Sequence, residues 1–463
     1  MAYRGEIKAA RLRGLVNIPG FQTRKKYIEN EYPGRGFVGG FIKRFRFGAL
    51  PLLRVNLIIV LRLCGKSVFS GVLTLNFSLI RLYCMNSNII QMVPADHISF
   101  LLGMYQWGIE IIKMIQRIES PFMTGLAKFI TALGTESLYV PLILLIFWWI
   151  DEKQGLRFGI LIILTAWINA FLKVVFKQPR PYNLDPSVGL AYETSYGVPS
   201  GHAQMSLTFW VSTAVWLSHT WASPKQGESG HKSKKILVWA VAVLLILLIG
   251  LSRLYLGVHF PTDLFAGWVI AALVLVIWLI YGPALEKFFI SVGVRSQNIT
   301  VAVLALVMNG VYPRDRTLPA LFLGFCIGYT LMRKYFPFSA RGEINGKKPG
   351  VLVFVFRCVL GFLGMVIIYA VLRLIFPGDG SLFGNIPGWG QSSPFYEIGH
   401  FIRYGLVGMW ASAGAPRMFQ QMGLAAVTGG AGSDKNTGDV AAGPAAGKAA
   451  DSADDDSGEK SQR

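Results

Sequence analysis

Acidic residues are scarce in this chain. Asp and Glu together number 25 in 463 residues, against 45 Lys and Arg, and charged residues make up only 15%. Globular chains carry about 25% charge, so a water-facing surface for a body of this length is excluded. Cysteine is scarcer still: Cys64, Cys84, Cys326 and Cys358. None belongs to a CxxC pair and none has a His at ligand spacing, which excludes a disulfide scaffold and a zinc ribbon and leaves apolar buried thiols. Glycine is frequent but follows no three-residue period, so a collagen-like chain is excluded too. What the chain has in excess is apolar surface: 53% hydrophobic residues, 13% aromatics and a mean hydropathy of +0.46. That composition predicts an all-α, polytopic transmembrane helical bundle.

The net charge of +20 would suggest nucleic acid in a soluble protein. Between apolar runs, Lys and Arg instead set membrane orientation, and no nucleic-acid partner is expected. Residues 1–84 differ from the rest, with fifteen Lys/Arg and, as acids, Glu6, Glu29 and Glu31 alone. Two readings stand: a basic arm lying on anionic lipid, or a start of translation near Met85, Met92 or Met104. Residues 97–118 keep Glu110, Lys113, Gln116 and Arg117 beside an apolar face and predict a helix along the interface. Apolar runs then predict about nine spans, near 137–150, 157–176, 203–219, 236–251, 262–281, 299–311, 317–332, 350–376 and 399–416. The first borrows residues from before 137, and the sixth is short. Residues 425–463 are rich in Gly, Ala, Ser and Asp, cannot bury a core, and predict a disordered tail.

These features divide the chain into a basic N-terminal extension at 1–96, a membrane core at 97–285, additional transmembrane helices at 286–424, and the tail. Alternate loops differ in charge. The loops at 219–235, 282–298 and 333–349 hold Lys225, Lys232, Lys234, Lys235, Lys287, Arg295, Arg333, Lys334, Arg341, Lys347 and Lys348. On the other side, the loop at 377–398 has no Lys or Arg. The positive-inside rule makes the first set cytoplasmic. A multi-pass protein of the plasma (inner) membrane follows, with loops 177–202 and 252–261 facing outside and the tail inside.

Three segments on that outer side carry chemistry. In the first, Lys173 precedes Arg180 and Pro181, the two cations standing seven positions apart. A helix would put both on one face, ended by Pro179 and Pro181. A lysine inside an apolar span is a functional candidate, although basic residues also snorkel at span ends. The second is Pro199-Ser200-Gly201-His202, directly before an apolar run. Ser200 suits an N-cap, Gly201 admits close approach of an anion, and the helix end attracts one; an ordinary capped helix has the same look. The third runs from Ser252-Arg253 to His259 and Asp263. Pro261 suits the first turn of a helix, and Asp263 four residues after His259 can orient its imidazole. Arg253 adds a bidentate oxyanion clamp. Three cations, a helix N-terminus, two His and one Asp on one membrane face make a phosphoryl-transfer set without a metal; no cofactor and no metal ligand is expected.

In order and spacing, KxxxxxxRP, PSGH and SRxxxxxHxxxD are similar to the signature of the type 2 phosphatidic acid phosphatase/vanadium haloperoxidase superfamily, over about residues 104–285. The resemblance implies a phosphatidic acid phosphatase type 2-like core. It also implies that Lys173, Arg180, Arg253, Ser200 and the Gly201 amide bind phosphoryl oxygens. His259 would attack phosphorus to give a phosphohistidine, Asp263 would orient it, and His202 would protonate the leaving oxygen and then activate water. Nine spans with a cytoplasmic C-terminus resemble glucose-6-phosphatase and the sphingosine-phosphate phosphatases more than the six-span lipid phosphatases, while Asp263 is closer to the lipid-directed branches. A phosphorylated lipid is the leading substrate class. A sugar phosphate, a haloperoxidase and a silent transporter are the alternatives, the last two weakened by the membrane character and by the presence of both His. Beyond the signature, the loop from Asn309 to Arg316, with His400 and Arg403, stands as a candidate for shaping substrate entry, though loop and interface roles suit these residues better.

Overall fold

The computed structural model describes residues 95–221, 231–344, 346–376 and 394–426. The readings of the basic extension before residue 95 and of the acidic tail lie outside these residues. The described chain is helical, its one β feature being an isolated bridge between Ile344 and Lys347. In chain order the helices are α1 (Ala95–Ile115), α2 (Pro121–Ala132), α3 (Glu136–Leu145), α4 (Glu152–Phe176), the short α5 (Pro181–Leu184), α6 (Gly201–Thr220), α7 (His231–Tyr255), α8 (Pro261–Ser291), α9 (Val294–Val311), α10 (Thr317–Tyr335), α11 (Val351–Ile375), α12 (Pro394–Met409) and α13 (Ala415–Gln421).

Helix ends follow local chemistry. Ser120 caps α2 by accepting from the Met123 N–H at 3.2 Å, with Pro121 in the first turn. Asp151 caps α4, accepting from Lys153 and Gln154. All nine apolar stretches are helical, the first continuing from α3 through a π-helical turn at Ile146–Ile150 and the last passing from α12 through another at Trp410–Gly414 into α13. Among the described residues, length and apolarity qualify five stretches as membrane spans: Glu152–Leu184, Lys232–Tyr255, Pro261–Ser291, Val294–Val311 and Val351–Ile375. A sixth is added if α2 and the segment Glu136–Ile150, bent by 44°, count as one. The short sixth run is thus part of an 18-residue helix, Val294–Val311, and the first run qualifies only when joined to α2. The count of nine is not established. α6 misses the criterion because Gln204, Ser206 and Thr208 sit in it, all three wholly buried against protein rather than lipid. The basic loop at 282–298 shrinks to a tight turn, since α8 runs to Ser291 and α9 starts at Val294.

Polar contacts orient the bundle. Arg157 near the start of α4 pairs with Glu286 near the end of α8 at 2.8 Å, so the two helices run antiparallel. Opposite that pair, the end of α4, the start of α6, the end of α7 and the start of α8 come together. α6 sits between α4, α7 and α8 with Tyr139, Phe158, Ile162 and Phe209 buried beside it. The outer faces of α7, α8, α9 and α11 are apolar and uncovered: Leu273 is 58% exposed, Ile280 62%, Leu306 65% and Val366 62%. An apolar belt of this extent suits lipid and not water.

Candidate active site

α4 carries Lys173 in its last turn, and its Nζ donates to the Tyr196 carbonyl at 2.7 Å. The helix stops at Phe176, and Lys177 takes the left-handed conformation (φ 49°). Arg180 therefore does not share a helix face with Lys173, contrary to the two-turn spacing argument: Pro179 and Pro181 break the helix, and Arg180 reaches the same place from extended backbone ahead of α5. Its guanidinium is 1% exposed. Nε donates to the Ser195 carbonyl at 2.7 Å, Nη1 to the Val258 carbonyl at 2.8 Å, and Nη2 to Ser195 Oγ at 3.0 Å.

Ser200 is fully buried and caps α6, its Oγ accepting from the Ala203 N–H at 3.4 Å. Its own N–H donates to the Asp263 carbonyl at 3.0 Å, which ties the start of α6 to the start of α8. Gly267 makes that approach feasible: a Cβ there would stand 2.7 Å from the Ser200 carbonyl oxygen. Below the turn, Asn169 donates to the Pro199 carbonyl at 3.2 Å and to Gln204 Oε1 at 2.8 Å. His202 follows in the first turn of α6, against the end of α2 at Gly134.

α7 ends one residue short of Leu256, and Gly257, at φ +66°, turns the chain where any side chain would strike the Val188 carbonyl. His259 follows in the bend, Phe260 is extended, and Pro261 opens α8. His259 and Asp263 are 0% and 1% exposed. His259 Nδ1 lies 3.2 Å from Asp263 Oδ2, and Nε2 lies 3.3 Å from Arg180 Nη1. Asp263 Oδ2 also accepts the Phe260 N–H at 3.0 Å, while Oδ1 has no protein partner. A donor Nδ1–H facing the carboxylate leaves the Nε2 lone pair turned toward the arginine. Burial, then the Arg180, Lys173 and Arg253 charges, then His202, push the His259 imidazole well below its usual pKa. The neutral form of the imidazole is thereby favoured.

Arg253, 3% exposed, donates from Nη1 to Thr131 Oγ1 at 2.7 Å. Its Nη2 meets Glu193, and the other oxygen of Glu193 lies 2.6 Å from Arg180 Nη2. Burial would push the Glu193 carboxyl up, but the Arg253 and Arg180 charges, with His202, outweigh it and hold it below the usual range. The structure thus brings Lys173, Arg180, Ser200, Gly201, Arg253, His259 and Asp263 to one end of the bundle, with His202 within electrostatic reach of Glu193. Glu193 and Asn169 were missed by the sequence reading. The available signal for Glu193 was its rarity: between residues 177 and 202 the acids are Asp185 and Glu193 alone. Among the described residues, no three His, Cys, Asp or Glu side chains are grouped as metal ligands.

Arg316 pairs with Glu397 at 2.8 Å, and Arg403 stacks on Tyr369. Both join helices within the C-terminal part.

The PAP2 superfamily profile matches residues 154–287, and the profile described as PAP2 superfamily phosphatase, transmembrane extension, matches 317–427. An undecaprenyl-diphosphatase of Sulfolobus acidocaldarius is 31% identical over 170 residues, 36% of this chain and 74% of that protein. The chain belongs to the PAP2 superfamily. A phosphatidylglycerophosphatase B of Bacillus subtilis is 29% identical, over 38% of this chain and 84% of its own. A probable sphingosine-1-phosphate phosphatase of Dictyostelium discoideum is 29% identical, over 37% of this chain and 42% of its own. These PAP2 relatives are named phosphatases, and this chain is a multi-pass membrane phosphatase of the same superfamily.

Proposed function

We propose that the protein hydrolyses a phosphomonoester or diphosphate of a lipid at the outer face of the plasma membrane, through a phosphohistidine and without a metal. The observation that carries this reading is His259, buried between Asp263 at 3.2 Å and Arg180 at 3.3 Å. An imidazole whose Nδ1–H is held by a carboxylate presents Nε2 as nucleophile. Nε2 attacks phosphorus, the bond to the leaving oxygen breaks, and His202 gives that oxygen its proton. His202 then takes a proton from water, whose oxygen attacks the phosphohistidine, and Nε2 and inorganic phosphate are released. Lys173, Arg180, Arg253 and the amides after Ser200 hold the equatorial oxygens, where charge is stabilised by groups fixed in advance. Asn169 is a positioning residue for the Pro199–Gly201 turn.

The lipid assignment rests on the relatives' names, which are those of enzymes of undecaprenyl diphosphate, phosphatidylglycerophosphate and sphingosine 1-phosphate, and on the uncovered apolar belt of the bundle. The deciding experiment is phosphate release by the detergent-purified protein from lipid phosphates, lipid diphosphates and sugar phosphates, with EDTA present. Lipid esters are turned over fastest, chelation changes nothing, and vanadate inhibits. Activity lost to EDTA and restored by Mg²⁺ overturns the metal-free mechanism, and faster turnover of sugar phosphates overturns the lipid assignment. Orientation is read on a cysteine-free background: Ser187→Cys is labelled in intact cells and Lys347→Cys only after permeabilisation. The reverse pattern moves the site to the cytoplasm.

A further inference from the structure

The clamp formed by Arg180 and Arg253 already holds an anion. Glu193 places one carboxylate oxygen 2.6 Å from Arg180 Nη2 and the other on Arg253 Nη2, so it bridges the two guanidiniums as a phosphoryl group would. Arg180 in turn touches His259 Nε2. Arg180, Arg253 and His259 are 1%, 3% and 0% exposed, whereas the Glu193 side chain is 30% exposed. The carboxylate therefore lies on the open side of a closed cationic floor. Its backbone is pinned, since Tyr182 Oη donates to the Glu193 carbonyl at 2.7 Å and accepts from the Glu193 N–H at 3.1 Å. The side chain alone is left to move, through rotamers that need no loop rearrangement.

Resting on the phosphatase reading of this site, we propose that Glu193 is an exchangeable counter-anion. In the empty enzyme it occupies the phosphoryl position; it leaves when substrate enters; it returns as inorganic phosphate departs. Two buried guanidiniums without a counter-charge are unfavourable, and the rigid floor supplies none of its own at that spot, because Asp263 is committed to His259 and the Phe260 amide. A clamp strong enough to hold the transition state would also retain the phosphate product. A tethered carboxylate that reoccupies the clamp speeds that release.

Displacement makes a quantitative demand. If Glu193 must leave before any anion binds, its removal strengthens every anion by the same factor, because the cost of vacating the clamp is common to all. A carboxylate that stayed in place and merely repelled would weaken a dianion more than a monoanion. The test is isothermal titration of purified wild type and Glu193→Gln with inorganic phosphate and with diethyl phosphate, a monoanion, together with steady-state kinetics on p-nitrophenyl phosphate. The expected result is a dissociation constant lower by about tenfold for both anions, a lower KM, and a kcat that falls as release slows. Unchanged or weaker binding of both anions, or a gain that grows with ligand charge, overturns the proposal. If Glu193→Gln does not give monodisperse protein, Glu193→Asp is titrated instead. Its carboxylate is one methylene too short to bridge both arginines, so both anions tighten equally, and unchanged affinity overturns the proposal. Titration needs no turnover, so a protein that binds phosphate but cleaves none of the tested esters counts against the catalytic reading and not against the exchange.

Discussion

Arg253 in the α1–α8 half and Arg357 in the α9–α13 half are both buried, at 3% and 0% exposure, and neither is a surface residue of convenience. Their surroundings are opposite. Arg357 spends every guanidinium nitrogen on neutral carbonyls: Nε and Nη2 on Leu424, Nη1 on Trp148 and Ala340, all between 2.7 and 2.9 Å. The Trp149, Phe338 and Phe419 rings close around it. Arg253 keeps Nε without a protein partner and places Nη2 on a carboxylate that is itself partly exposed. Burial of charge marks both; unspent hydrogen-bonding capacity beside an opening marks the one we propose binds phosphate. Arg357 ties Leu424, just past α13, to Trp148 in the π-helical turn Ile146–Ile150 and to Ala340 before α11, so these C-terminal helices brace the core.

The largest effects should follow the two His of the core. His259→Ala removes the nucleophile, and activity should fall by ~10⁴-fold or more on every ester. His202→Ala should lose ~10²–10⁴-fold on an alkyl phosphate and much less on p-nitrophenyl phosphate, whose leaving group departs without a proton. Asp263→Asn should fall between, because the imidazole stays but its tautomer is no longer enforced. Turnover of the three variants on the two substrates, after gel filtration in detergent, checks the assignment. Equal losses for His202→Ala on both substrates, or an active His259→Ala protein, would exchange the roles.

Arg357→Met reverses the pattern. Three carbonyls lose their donor, and each buried unsatisfied group costs roughly 1–3 kcal/mol. The melting temperature should fall clearly, while kcat/KM of the folded fraction stays within about threefold of wild type. A kinetic loss beyond that, with stability unchanged, would show the extension acting on the site and break the contrast. Gly267→Ala is intermediate: its Cβ, 2.7 Å from the Ser200 carbonyl, must push α8 from α6. Roughly 1–3 kcal/mol of stability should go together with a drop in activity, because the same contact sets the Ser200 turn.

Much of the core half was legible in the sequence because its constraints are local. Pro261 opens a helix, Asp263 falls in its first turn, and four residues is the distance at which a carboxylate meets the imidazole of His259. Ser200 as a cap needed only its neighbours. Where the constraints are long-range, the sequence says less. The seven-residue spacing of Lys173 and Arg180 predicts one helix face, but Pro179 and Pro181 break that helix; the two side chains converge through the return of the loop onto Val258 and Ser195. Glu193 lies in a stretch without period or motif, and its place on two arginines depends on Tyr182 fixing the loop. Composition does not fix the span count for a related reason: α6 is polar where it faces protein, so hydropathy reports its neighbours and not its path.

The smallest expected effect is a shift in pH dependence, and it sharpens the comparison most cheaply. Burial and the surrounding cations hold the His259 imidazole well below its usual pKa of 6.5. As pH falls through 6.5, the nucleophile therefore stays neutral, and the acid limb that His259 imposes on kcat/KM lies below that value. Lys173 is one of the charges responsible, alongside Arg180, Arg253 and His202, with Asp263 and Glu193 as the facing acids. Lys173→Met removes one positive neighbour, so protonation becomes easier and the acid limb should move upward, toward 6.5. Arg357→Met removes an equal charge from the other half and should leave the limb where it is. Profiles of all three proteins on p-nitrophenyl phosphate, from mildly acidic to neutral pH, make the comparison, and the substrate's own titration cancels because it is shared. A limb that moved equally in both variants would mean that net charge, not the cluster around His259, sets the nucleophile.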